Sequence, residues 1–86
     1  MTLDELAGIA DALVPEVDAR TRLNAHRFAV QCGILYEMPP NRPSLPEIGM
    51  ALGCGHPRVY YGLQRWRELP WRERHGWLML AEGRAR

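Results

Sequence analysis

Apolar side chains recur every three or four residues along most of the chain, and prolines and glycines separate the segments that carry this spacing. Such spacing is typical of helices that bury one face. The first segment predicts a helix over about residues 3–13. A capping box at residues 2–5 (Thr-Leu-Asp-Glu) marks its start, and Pro15 ends it.

A second, longer segment predicts a helix from about Asp18 to Tyr36. Residues 28–36 are apolar on almost every side, so we expect this helix to run through the centre of the core. A buried strand is the alternative for such an apolar run. The sequence offers no second strand to pair with it, and the length of the segment favours a helix.

Two shorter helices are predicted after a proline-rich loop at residues 38–43. Ser44 begins a second capping box (Ser-Leu-Pro-Glu) and caps a third helix over about residues 45–52. The sequence Gly-Cys-Gly at residues 53–55 predicts a turn. A fourth helix then follows over about residues 57–69, with a proline at its first position.

The chain ends with a fifth predicted helix over about residues 71–81, in which Trp71 is among the residues expected to pack on the core. Residues 83–86 are expected to form a basic, frayed tail. Together the elements predict one all-α domain over residues 1–86, with about five helices and a helix-turn-helix at residues 44–69.

The fourth helix has two chemically different sides. At about 100° per residue, Val59, Leu63 and Trp66 share a stripe that is expected to face the core. The opposite side is basic and aromatic. In a helix-turn-helix, the first residues of the second helix enter the major groove of DNA, where arginine can donate two hydrogen bonds to guanine. The candidate DNA-contacting residues of this helix are His56, Pro57, Arg58, Tyr61 and Arg65.

Two further candidates precede the turn, Arg42 in the proline-rich loop and Ser44 at the start of the third helix. Arg42 and Arg67 could contact phosphate, although exposure to solvent is the simpler interpretation of both. The other candidates also have simpler interpretations, because helix-surface arginines can be merely solvated and Tyr61 can lie over the edge of the core.

The net charge of +1 by itself disfavours a nucleic-acid-binding protein, but the positions of the charges along the chain favour one. Residues 1–18 carry five acids and no base, whereas residues 19–86 carry eleven arginines against five glutamates, a local balance of +6. Such asymmetry indicates that residues 19–86 form a basic surface that can bind a polyanion. The acidic first segment is either a solvated face or a surface for a partner.

No pattern in the chain indicates an enzyme, a cofactor or a metal. There is no nucleophile motif and no carboxylate pair near a histidine. Cys54 and His56, with Cys32 and His26, could suggest zinc, but they lack the C-x-x-C spacing of a structural site. The two cysteines fit reduced thiols in a reducing cytosol, and no apolar run approaches the roughly 20 residues of a membrane-spanning helix. We therefore expect a cytoplasmic protein.

Residues 44–53 (Ser-Leu-Pro-Glu-Ile-Gly-Met-Ala-Leu-Gly), followed by His56 and Val59, resemble the C-terminal DNA-binding domain of the bacterial replication initiator DnaA. That family has the pattern S-L-P-E-I-G-x-A-[FL]-G-G-R-D-H-T-T-V and a central helix beginning A-R-Q-x-A-M, which residues 25–30 match loosely. The resemblance covers about residues 25–66. It implies a helical domain whose helix-turn-helix binds the major groove, with an arginine near the central helix that reaches a minor groove. It also implies a nucleoid-associated protein of bacterial or phage origin.

Several positions depart from the family pattern. The turn before His56 is one residue shorter, Gly55 replaces an aspartate, and Pro57 and Arg58 replace two threonines that contact bases. Only His56 carries over directly as a base-contacting residue. At the position of the minor-groove arginine the chain has His26, and Arg27 beside it could substitute.

Two functional hypotheses follow. The first is sequence-specific or semi-specific binding of double-stranded DNA in replication or transcription control, as a homodimer or together with a replication protein. The second is a protein-interaction module that keeps this fold without DNA readout and acts as an antagonist or decoy of a replication factor.

Overall fold

The chain folds into helices that enclose one core. The structure, a computed structural model, describes residues 1–14 and 21–86. In that part of the chain it contains no strand and five helices: α1 (Leu3–Leu13), α2 (Thr21–Glu37), α3 (Leu45–Leu52), α4 (His56–Glu68) and α5 (Trp71–Ala85). The predicted all-α class is therefore confirmed. The predicted start of α2 near Asp18 lies outside the described residues.

Both predicted capping boxes form and fix the starts of α1 and α3. The Thr2 hydroxyl accepts the Glu5 backbone N–H at 3.1 Å, and the Glu5 carboxylate accepts the Thr2 backbone N–H at 3.1 Å. Ser44 and Glu47 make the same reciprocal pair at 3.3 and 3.2 Å. Backbone and side-chain hydrogen bonds from Thr2 lower the pKa of the Glu5 carboxyl, because they stabilise its charged form.

Helix α2 is the central helix, as its apolar sequence predicted. It packs against each of the other four helices, and every residue from 29 to 35 is buried. Each of the other helices contributes a smaller set of buried side chains to this core, including Leu6 and Ala10 of α1, Ile48 of α3, Val59, Leu63 and Trp66 of α4, and Ala81 of α5.

Two predictions about the end of the chain are wrong. The frayed tail expected at residues 83–86 is helical as far as Ala85, and an ion pair between Glu82 and Arg86 at 3.0 Å spans this last turn. Trp71 does not pack on the core but is 64% exposed, and its ring lies 6.0 Å from the His75 ring between centroids. The reason is that α5 lies on the surface and fully buries only Ala81.

Candidate nucleic-acid interface

The turn between α3 and α4 is tight because of two glycines, Gly53 for its backbone conformation and Gly49 for the space that it leaves. Gly53 has φ 74° and ψ 35°, in the left-handed region that favours glycine. The Cys54 backbone N–H donates to the Gly49 carbonyl at 2.8 Å. A Cβ atom on Gly49 would lie 2.6 Å from the Cys54 carbonyl oxygen. The turn therefore folds directly onto Gly49, and its length sets where α4 begins.

The side of α4 predicted to face the core does so. Val59 is fully buried, and Leu63 and Trp66 are 3% and 1% exposed. The indole N–H of Trp66 donates to the carboxylate of Glu37 on α2. This hydrogen bond satisfies the polar atom of a buried aromatic side chain, so α4 is fixed to α2 by burial and by a hydrogen bond together.

Two glycines let α2 and α4 approach closely. A Cβ atom on Gly33 of α2 would overlap the Trp66 indole ring. A Cβ atom on Gly62 of α4 would lie 2.8 Å from the Cys32 sulfur and 2.9 Å from the Phe28 ring. Each helix thus has a notch that receives a large side chain of the other. We call these two contacts the glycine notches.

The opposite side of α4 is exposed, as predicted. Tyr61 is 67% exposed, and it contacts the edge of the Tyr60 ring at 5.5 Å between centroids. Among the described residues, no ion pair involves Arg58 or Arg65. We call this surface the outer face of α4; it consists of His56, Pro57, Arg58, Tyr61 and Arg65, all exposed.

Arg58 does not extend freely into solvent. Its guanidinium carbon lies 4.7 Å from the centroid of the Phe28 ring, a cation–π contact. Phe28 is itself placed against the notch at Gly62. The sequence pattern assigned Phe28 to the core alone, because nothing in helical spacing relates a residue of α2 to one of α4.

Arg42 and Arg67 reach the same aromatic ring, that of Tyr36 at the end of α2. Their guanidinium carbons lie 4.9 and 5.9 Å from its centroid. Arg42 also donates to the Tyr36 hydroxyl at 3.4 Å. The sequence pattern indicated both arginines as possible phosphate contacts but gave Tyr36 no role in the site. The remaining candidate on this side, Ser44, has its hydroxyl in the capping box of α3.

The two residues implied by the family resemblance on α2 have partners on other helices. Arg27 donates to the Val14 carbonyl at 2.6 Å and pairs with the carboxylate of Asp11. His26 lies 3.1 Å from the carboxylate of Glu73 on α5. Their side chains therefore connect α2 to α1 and α5, whereas Phe28 is the neighbour that faces the outer face of α4.

The cysteines differ in environment. Burial, with a smaller contribution from Cys54, raises the pKa of the Cys32 thiol to about 12, so it is protonated at neutral pH. Within residues 1–14 and 21–86, no group of three or more His, Cys, Asp or Glu side chains could hold a metal ion. No helix in this described part is long and apolar enough to span a membrane.

Comparisons with protein-family models, with curated proteins and with solved structures found no match to this chain. The resemblance to the DnaA C-terminal domain therefore stays a prediction that depends on the sequence pattern alone. What the geometry establishes is an all-helical domain with a tight turn between α3 and α4. One side of α4 is buried there, and its other side is basic, aromatic and exposed.

Proposed function

We propose that this chain binds double-stranded DNA through the outer face of α4, in the control of replication or transcription in a bacterial cell. The N-terminal half of α4 would enter the major groove, with Arg58 contacting a guanine edge and the neighbouring side chains contacting the phosphates. The domain is small, so tight binding would require a second copy or a replication protein beside it.

The observation that carries this proposal is the fixed position of the outer face. Arg58 and Arg65 are exposed and have no carboxylate partner among the described residues. On the reverse side of the same helix, Trp66 is locked against Gly33. A firmly packed helix whose guanidinium groups form no ion pair with any described residue suits a phosphate-lined groove, since the side chains need little reorganisation on binding.

Two further features support it. The S-L-P-E-I-G run resembles the DnaA domain, and in this chain its residues make the corner, because Ser44 caps α3, Ile48 is buried and Gly49 accommodates the turn. The arginine excess lies in residues 19–86, which include this corner. Counterion release at clustered arginines would supply most of the affinity.

The test is selection of binding sites from a random duplex pool, followed by titrations of the selected duplex and of random duplex. We expect an enriched motif and an affinity that falls steeply with salt. The variant Arg58→Ala should lose roughly 1–3 kcal/mol on the selected site and less on random DNA. Arg84→Ala, which removes an exposed arginine of α5, is the matched control. No salt-dependent binding at micromolar protein would refute the proposal.

A second candidate function, a protein-interaction module, is favoured by one observation. Helix α5 exposes the adjacent residues Met79 and Leu80 to 57% and 55%. Large apolar residues exposed on one helix can form a partner surface. If the chain is such a module, pull-down from cell extract should recover a stable complex. Met79→Glu should abolish this complex, and Arg58→Ala should leave it intact. Neither the variants nor the original chain should bind DNA.

A further inference from the structure

Tyr36 joins two arginines from separate parts of the chain. Arg42 comes from the loop before α3 and Arg67 from the last turn of α4, and both guanidinium groups lie within 6 Å of the ring centroid at 4.9 and 5.9 Å. Arg42 also donates to the ring hydroxyl at 3.4 Å. We call Tyr36, Arg42 and Arg67 the Tyr36 cluster.

The cluster carries two positive charges, those of Arg42 and Arg67. Among the described residues, no ion pair involves either arginine. The carboxylate of Glu37, next to Tyr36 in α2, accepts a hydrogen bond from the Trp66 indole and forms no ion pair with either arginine. Two like charges near one ring repel each other, and a bound phosphate anion would reduce that repulsion. The planar guanidinium fork fits phosphate oxygens in particular.

The scaffold holds the cluster in place. Arg67 directly follows Trp66, which is 1% exposed and fills the notch at Gly33. The loop that carries Arg42 contains three prolines, which restrict its backbone. The backbone of Met38, at the start of this loop, donates to the Ile34 carbonyl of α2 at 3.0 Å. Both guanidinium groups therefore project from restrained backbone.

The distance between the cluster and Arg58 is similar to the width of the DNA major groove. Arg67 follows Arg58 by nine residues, which is about 13 Å along a helix and half a turn around it. The major groove is about 12 Å wide. With the start of α4 in the groove, Arg58 and the cluster would lie on opposite sides of α4. The cluster would then contact a sugar-phosphate backbone and no base edge.

We infer that the Tyr36 cluster is a phosphate-binding site, separate from the base-contacting residues, that takes phosphate groups of the DNA backbone when α4 occupies the groove. Its DNA partner depends on the proposed function. Its chemistry does not, because a free phosphate anion would offer the same oxygens to the same two guanidinium groups.

The first experiment compares two double variants of equal charge by DNA titration at several salt concentrations. Arg42→Gln/Arg67→Gln should weaken binding about equally on selected and random duplex and lower the slope of log K against log salt by about 2. The control, Arg72→Gln/Arg84→Gln, removes two exposed arginines of α5. Its slope should stay close to that of the original chain. If the two double variants behave alike, the site is refuted.

The second experiment uses inorganic phosphate alone, followed by NMR of the Tyr36 ring and of the arginine side chains, with chloride of equal ionic strength as reference. Saturable shifts at Tyr36 that Arg42→Gln/Arg67→Gln abolishes would support the site even if no DNA is bound. Absence of such shifts, together with an unchanged salt slope, would overturn it. If Arg58→Ala still weakened DNA binding, the proposed function would stand without the phosphate site. Failure of the site can therefore be distinguished from failure of the proposed function.

Discussion

Helices α4 and α5 adjoin in sequence but contact the core in different ways. Helix α4 buries Val59, Leu63 and Trp66 almost completely. Helix α5 fully buries only Ala81 and leaves Trp71 64% exposed. The two helices therefore differ in how firmly the core dictates the direction of their side chains.

Glycine positions explain much of that difference. Gly33 and Gly62 lie where a Cβ atom would collide with the opposite helix, whereas a Cβ atom on Gly76 or Gly83 of α5 would have no heavy atom within 4 Å. Close approach of two backbones lets large side chains interlock, and interlocked side chains fix a helix in rotation as well as in position. The helix that carries the candidate interface is thus the one whose rotation is fixed.

The largest expected difference in stability is between variants at the two tryptophans Trp66 and Trp71. Trp66→Ala should lower the free energy of unfolding by about 3–5 kcal/mol, because it removes a buried ring and leaves a cavity. Trp71→Ala should change it by no more than about 0.5 kcal/mol, since that ring is exposed. Urea unfolding followed by circular dichroism measures both. Equal losses would mean that α5 is as deeply packed as α4.

The next largest effect separates the glycines. Gly33→Ala should destabilise the protein by about 2 kcal/mol or more, because its methyl group would overlap the Trp66 ring. Gly76→Ala, in open space on α5, should stabilise it by about 0.5–1 kcal/mol through helix propensity. The same unfolding measurement applies. A stabilised Gly33→Ala variant would contradict the notch at that position.

A third prediction tests the notch at Gly62 through the thiol that fills it. The pKa of Cys32 is raised from 9.0 to about 12 in the folded protein, so the native state holds this proton more tightly than the unfolded state. The corresponding stability is present below about pH 9 and is lost as the pH rises towards 12, with about 1 kcal/mol lost by pH 10.

Unfolding in urea at pH 8 and pH 10 measures this loss. Cys32→Ala should show a drop between the two pH values that is smaller by that amount. Cys54→Ser, at the half-buried cysteine, should keep most of the drop of the original chain, because Cys54 contributes less than burial to the raised pKa of Cys32. An identical drop in the Cys32 variant would show that the thiol is accessible to solvent and that the notch is open.

The smallest expected effect concerns the first residue before α4. Gly55 is the N-cap of this helix and offers no side-chain hydrogen bond, and a Cβ atom there would meet only Pro57 Cδ at 3.5 Å. Gly55→Ser should therefore stabilise the protein by a few tenths of a kcal/mol. Gly53→Ser, at φ 74°, should instead destabilise it by about 1 kcal/mol. The unfolding midpoints in urea distinguish these signs.

Local patterns predicted most of the fold. Capping boxes located the starts of α1 and α3, because Thr2 and Ser44 act on residues three positions away. The 100° rotation per residue separated the buried Trp66 from the exposed Tyr61 on α4. In each case the information lies within one turn or one helix.

Contacts between distant segments could not be predicted in this way. The pairing of Arg27 with Asp11 and the stacking of Arg58 on Phe28 depend on how whole helices pack. The position of Trp71 depends on the rotation of α5, which its own sequence does not determine. For the candidate site, the sequence predicted which side chains are exposed but not which aromatic rings orient them.

The stacking of Arg58 on Phe28 also has a consequence for conformational entropy. A free arginine side chain samples many rotamers and loses up to about 2 kcal/mol of entropy when it is immobilised. In this domain, part of that freedom is already removed on folding, because the guanidinium group lies 4.7 Å from an aromatic centroid. Phe28→Leu would return that freedom to Arg58. A substitution at a residue that contacts no ligand can thus make a binding surface less ordered.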